Sequence, residues 1–192
     1  MSLIIKKLKK NFGSKTVFDE FSYTFEECGI YVLVGPSGRG KTTLLRIIAG
    51  LDKDYTGEVD TQSVAYAFQE YRLFPMLSAL GNITHILWEH PTEDQISDAK
   101  ALLTSFGFSE SDMHLYPNAL SGGMKQRVSL CRALLADKKI LLLDEPFKEL
   151  DDTLRERLRK ILSLEAPKRL IILTAHTLDA LGDLNRTIVT LE

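Results

Sequence analysis

A short β-rich run, Ile30-Tyr31-Val32-Leu33-Val34, leads into Gly35-Pro36-Ser37-Gly38-Arg39-Gly40-Lys41-Thr42-Thr43, and the apolar positions Leu44, Leu45, Ile47 and Ile48 follow at helical spacing. A strand, a glycine-rich loop and a helix in that order leave few folds open, since the loop must hold the end of the strand against the start of the helix. The loop fits the pattern G-x-x-x-x-G-K-[ST] in the context that gives the pattern meaning. Such glycines let backbone N–H groups turn inward on a β-phosphate, and the helix N-terminus adds partial positive charge. Lys41 is then placed to bridge β and γ oxygens, and Thr42 to offer a hydroxyl to Mg²⁺. The plainer alternative, a chance glycine-rich turn, is disfavoured by the flanking strand and helix.

A second stretch, Leu120-Ser121-Gly122-Gly123-Met124-Lys125-Gln126-Arg127, puts serine at a helix cap and leaves glycine amides open to an anion. One nucleotide does not need two cradles. The turn is therefore either a helix cap or a site for a different nucleotide from the one on Lys41. Asp144-Glu145 closes the apolar run Ile140-Leu141-Leu142-Leu143, at the carboxyl end of a buried strand, where ligands collect in open α/β sheets. There Asp144 is expected to hold Mg²⁺, and Glu145 to polarise an attacking water as general base. Capping of the turn at Pro146 is the bland reading of the same pair.

Continuous apolar strands alternating with helices predict an α/β fold with a mostly parallel central sheet covered on both faces. Asp54 to Val59 reads as a turn into a strand, and Ser63 to Phe68 as a strand that stops at Gln69. Residues 76–119 are helix-rich, with Pro91-Thr92-Glu93-Asp94 as a helix start, so an inserted helical subdomain is expected over about 71–120. A long helix is predicted from Ser121 to about Ala136, another from Asp151 to Leu164, and a buried strand over Leu170 to Thr174. With 192 residues and 44% apolar composition, one domain spanning 1–192 is expected. A net charge of -2 gives no global field toward nucleic acid or an anionic membrane, and no nucleic-acid partner is expected. Cys28 and Cys131 form no CxxC pattern and the N-terminus carries no signal-peptide core, which favours a cytoplasmic setting. The longest apolar runs fall far short of the roughly 20 residues that span a bilayer.

The order of these elements, with LSGGMKQR lying between the glycine loop and the Asp144-Glu145 strand, resembles the ATP-binding cassette (ABC) ATPases over nearly the whole chain. The resemblance implies a P-loop NTPase fold with a small N-terminal antiparallel β layer and an inserted α-helical subdomain. It implies ATP and Mg²⁺ as cofactors, with Thr42, Gln69 and Asp144 at the metal and Glu145, Gln69 and His176 at the reaction. Phe12 matches the aromatic that stacks on adenine, Asp151 the D-loop aspartate, and His176 the switch histidine that contacts the γ-phosphate. In that family two cassettes face head to tail, so that Ser121, Gly122 and Gly123 of one complete the ATP site of the other. His85, His90 and His114 match no such position and are read as surface or subdomain residues.

An ATP-hydrolysing subunit of an ABC transporter follows from the resemblance, driving a small solute across the membrane through ATP-dependent cassette dimerisation. A soluble ABC ATPase that remodels nucleic acid, ribosomes or a scaffold is the alternative. Expected partners are a second cassette, identical or homologous, integral membrane permease subunits and a solute-binding protein, with the chain peripheral on the cytoplasmic face. Tyr71-Arg72-Leu73-Phe74-Pro75-Met76 resembles the stretch that receives the permease, against the alternative that Leu73 and Phe74 only pack the subdomain. Two departures stand out. Lys148-Glu149 replaces a commoner small pair before Leu150-Asp151, and the segment between Lys41 and Gln69 leaves room only for a trimmed β layer.

Overall fold

A computed structural model describes residues 2–60, 62–175 and 177–191. In chain order the elements are β1 (Leu3–Phe12), β2 (Lys15–Phe25), β3 (Gly29–Val34), α1 (Lys41–Ile48), β4 (Thr56–Val59), β5 (Val64–Ala67), α2 (Gly81–Leu87) and α3 (Glu93–Ser105). Then come α4 (Glu110–Met113), α5 (Gly122–Leu135), β6 (Ile140–Leu143), α6 (Asp152–Glu165), β7 (Leu170–Thr174) and β8 (Thr187–Thr190). Five strands form a parallel sheet in the order β5-β6-β7-β3-β8, and three form an antiparallel sheet in the order β2-β1-β4.

The central strands β3, β6 and β7 are almost wholly apolar because both faces are covered, and their period of two sorts the side chains. Ile30 and Val32, Leu141 and Leu143, and Ile171 and Leu173 face one core, shared with helical residues such as Ile83, Leu103, Val128 and Leu158. Tyr31 and Leu33, Ile140 and Leu142, and Leu170 and Ile172 face the other, shared with Leu44, Leu45, Ile47 and Ile48 of α1 and with Leu3, Ile5, Leu8 and Phe25 of the antiparallel sheet. Helix α1 is thus buried between the two sheets, which fixes the loop that precedes it. Each such fully buried aliphatic side chain contributes roughly 1.5–3 kcal/mol by leaving water.

The antiparallel layer takes one four-residue strand, β4, from the short segment after α1. Between β5 and α5 lie α2, α3, α4 and a 3₁₀ turn over Pro117–Ala119. Their buried residues join the same core as the parallel sheet rather than a core of their own. Helix α3 starts after Thr92, whose hydroxyl accepts from Gln95 N–H (3.2 Å) while Gln95 Oε1 accepts from Thr92 N–H (2.9 Å). That reciprocal cap sets the helix start, and Pro91 lies outside it. Arg127 of α5 ties the far end of α3 down by donating to Phe106 O at 2.8 Å.

Candidate nucleotide site

The loop after β3 reaches α1 through Gly40, whose φ of 92° is left-handed and whose Cβ position lies 2.4 Å from Val17 Cγ1. Only glycine fits there. The consequence is a helix N-terminus that opens at the carboxyl edge of the parallel sheet, beneath the β1–β2 hairpin. Lys41 is buried, and its ammonium donates to the carbonyls of Gly35 (2.6 Å) and Pro36 (3.1 Å), so the side chain lies folded back along the loop. Around this point is a cavity of about 450 Å³ lined by Phe12, Ser37, Gly38, Gly40, Lys41, Thr42, Thr43, Gln69 and Glu145, with Lys15 and Val17 beside them. Phe12 is 55% exposed, so it is no core residue, and it stands at the cavity with the Lys10 ammonium 4.8 Å from its ring centre. Gly35, Pro36 and Arg39 belong to the same loop without lining the cavity.

Asp144 leaves β6 beside Thr42, and its carboxylate is 4% exposed. Burial raises its carboxyl pKa above the ordinary 3.8 and the neighbouring Glu145 charge adds to this, while hydrogen bonds from Thr174, Thr42 and Tyr66 oppose it. A desolvated carboxylate next to a hydroxyl suits a hard divalent cation that keeps other ligands from phosphate and water. Among the described residues no three His, Cys, Asp or Glu side chains gather to hold a metal unaided. The residues therefore fit Mg²⁺ arriving with a nucleotide rather than a prebuilt cage.

Two residues that the sequence did not single out hold this carboxylate. Thr174 Oγ1, buried at the end of β7, donates to Asp144 Oδ1 (2.8 Å) and accepts the N–H of Glu145 (2.8 Å). Tyr66 places its hydroxyl 3.5 Å from Asp144 Oδ2, and burial followed by the Asp144 charge pushes its phenol pKa strongly upward. Glu145 sits at a φ of 54°, rare for a residue with a side chain. Its carboxylate Oε2 takes Gln69 Nε2 at 3.4 Å and Lys148 Nζ at 3.5 Å.

The remaining expected residues lie elsewhere. Ser121 Oγ accepts from Met124 N–H (3.2 Å), and Gly122 and Gly123 begin α5 at a junction with Tyr71 and Glu149. Asp151 caps α6, its Oδ1 accepting from Leu154 N–H at 2.9 Å. None of these four lines the 450 Å³ cavity of the same chain. His176 lies outside the described residues.

Asn82 is a further residue that the sequence left unmarked. Fully buried, it accepts from Phe74 N–H and donates to the carbonyls of Phe74, Leu77 and Ser78, stapling the stretch after Gln69 to α2. The staple leaves Phe74 51% and Met76 83% exposed, while Leu73 packs on the helical core.

A family model described as "ABC transporter" matches residues 18–148. An aliphatic sulfonates import ATP-binding protein, SsuB of Bacillus cereus (strain ZK / E33L), is 36% identical over 209 aligned positions, covering all of this chain and 82% of that protein. A sulfate/thiosulfate import ATP-binding protein, CysA of Shigella flexneri, is 40% identical over 177 positions, covering 83% of this chain and 48% of that protein. The dimeric structure of the bacterial ABC transporter cassette MJ0796 superposes with a TM-score of 0.85 at 25% identity, over 98% of this chain and 94% of that one. A post-hydrolysis state of the same cassette, bound to ADP and Pi, superposes equally well, also at 0.85.

Proposed function

The chain belongs to the ABC transporter family, and from that premise we propose the following division of labour in a transporter ATPase. Phe12 stacks on the adenine, and the loop Gly35, Pro36, Ser37, Gly38, Arg39, Gly40, Lys41, Thr42 and Thr43 wraps the phosphates. When bound, Mg²⁺ supplies Lewis-acid stabilisation of the phosphoryl charge, with Thr42, Asp144 and Gln69 as the protein's contribution. Glu145 takes a proton from the attacking water, Gln69 orients that water, and His176 contacts the γ-phosphate. The observation that carries this reading is the meeting of Phe12, Lys41, Thr42, Gln69 and Glu145, from separate parts of the chain, around one cavity.

Ser121, Gly122, Gly123 and Asp151 lie away from that cavity, and their role is toward a second cassette, identical or homologous. Each cassette offers the α5 N-terminus to the γ-phosphate held by the other. Residues 71–120 act as an inserted helical subdomain of the single domain 1–192, and its exposed Phe74 and Met76 face a membrane permease. No helix among the described residues is long and apolar enough to cross a membrane, which suits attachment to a permease on the cytoplasmic face. The names of the relatives support import of a small oxyanion-bearing solute as the transport step, and a solute-binding protein is a further partner in this reading. The relatives named above are transport proteins, which favours the transporter reading over soluble remodelling.

Sedimentation of purified Glu145→Gln protein with and without MgATP tests the proposal. A shift to dimer on ATP, lost when Ser121 is also replaced by a bulky residue, is the expected result. A chain that binds ATP yet stays monomeric at every concentration would remove the second-copy reading.

A further inference from the structure

Glu145 is held at its main chain from several directions. Its N–H donates to Thr174 Oγ1 (2.8 Å), and its carbonyl accepts from Gln126 Nε2 (3.4 Å) and from Lys148 N–H (3.1 Å). The last of these closes a turn that brings the Lys148 side chain back over the Glu145 side chain. What the main chain leaves open is the final torsion of the carboxylate, which for an sp³–sp² bond is broad. Among the described residues, two donors meet the carboxylate at Oε2. Gln69 Nε2 and Lys148 Nζ converge on the same oxygen, Oε2, at 3.4 and 3.5 Å.

The two donors differ in where they stand. Gln69 lines the 450 Å³ cavity together with Glu145. Lys148 does not; it borders a separate cavity of about 210 Å³ with Glu145, Phe147 and Thr174. Its ammonium therefore meets the carboxylate without lining the nucleotide cavity, and its side chain is 55% exposed against 10% for Glu145.

We propose that Lys148 is a positioning residue for hydrolysis: it holds Oε2 of Glu145 against Gln69, so that base and amide converge on one water. This rests on Glu145 as the general base. The role belongs to this chain's own side chain at position 148, since a small residue there has no group to reach Oε2.

The test is single-turnover hydrolysis at saturating and at limiting MgATP by the full chain and by Lys148→Ala, Lys148→Arg, Glu145→Gln and Glu145→Gln/Lys148→Ala. Lys148→Ala is expected to lower the maximal rate about three- to fivefold, the most that a half-exposed ion pair sustains, with the MgATP concentration for half-maximal rate unchanged. Lys148→Arg should recover at least half of the loss. In the Glu145→Gln background the same truncation should change nothing, because the partner it acts through is gone. Because Lys148 is half-exposed, its truncation opens no cavity, and unchanged nucleotide affinity together with recovery in Lys148→Arg reports a folded site.

An unaltered rate in Lys148→Ala overturns the proposal, as does a rise in the half-maximal concentration or an equal loss in the Glu145→Gln background. Parental turnover by Glu145→Gln alone would remove Glu145 from its role and the Lys148 proposal with it. That failure is distinct from one in which only the Lys148 variants behave as parent.

Discussion

Thr174→Val separates the chemistry of the relay behind Asp144 and Glu145 from its shape. The substitution is nearly isosteric, so no cavity opens in β7, yet it removes one hydroxyl that makes two bonds of 2.8 Å. Loss of the donor to a buried carboxylate costs about 1.5–3 kcal/mol, and the orphaned Glu145 N–H costs about 1–3 kcal/mol. The extra methyl returns about 0.8 kcal/mol, and Asp144 retains the Thr42 and Tyr66 hydroxyls. The net is a destabilisation of about 2–4 kcal/mol at neutral pH. With a urea dependence of about 2 kcal/mol/M, the midpoint should fall by roughly 1–2 M. Thr174→Ser keeps both bonds and loses only a methyl, so its midpoint should fall by roughly 0.5 M. The bond to Asp144 favours the ionised carboxyl, so the Val penalty should shrink as pH falls through the raised Asp144 pKa. Urea melts monitored by circular dichroism over a series of pH values read all three quantities. Val and Ser variants with equal midpoints, or a Val penalty that grows on acidification, would refute the relay.

Two further outcomes follow from the same geometry. Burial raises the folded-state carboxyl pKa of Asp144, so its contribution to stability is fully present below pH 3.8 and is lost as pH rises through the raised value. Asp144→Asn should accordingly raise the ligand-free urea midpoint at pH 7 while lowering hydrolysis roughly hundredfold or more; a lower midpoint contradicts the sign. Gly40→Ala puts a Cβ 2.4 Å from Val17 Cγ1 and 2.8 Å from Phe18 Cζ at a φ of 92°, and should cost at least about 3 kcal/mol in thermal melts. Gly50→Ala, left-handed at 67° but open around its Cβ, should cost only about 1 kcal/mol.

Much of this molecule was legible because its signals are local. Gly35 to Thr43 carries its loop geometry in its residue types, and Ile140 to Leu143 announces a strand covered on both faces. The antiparallel layer was harder to read. Register shifts between Ile5 and Leu8 and again toward Lys10 break the alternation that marks a half-buried strand. Strand β8 is four residues long at a sheet edge with Ile188 45% exposed, too short and too mixed for a periodic signal. Ser121 and Asp151 were ambiguous for a physical reason, since a residue that caps a helix and one that presents a helix end to phosphate need the same side chain in the same place.

The roles that stayed hidden are those in which an ordinary residue acts across a long sequence separation. Thr174 looks like the last residue of an apolar strand until the parallel register of β6 and β7 sets it beside Asp144. Asn82 is an unremarkable polar residue near a helix start until burial makes every one of its hydrogen bonds necessary. Lys148 stands out in the sequence only as a departure from a small residue, and its contact with Glu145 emerges once the turn from Glu145 folds it back. In each case a motif residue is held by a side chain outside the motif, so the motif states which chemistry is attempted and the supporting residue sets the geometry in which it happens. Substitutions at those supports should therefore change rate or stability while leaving nucleotide affinity near parental, whereas substitutions in the glycine loop should change affinity first.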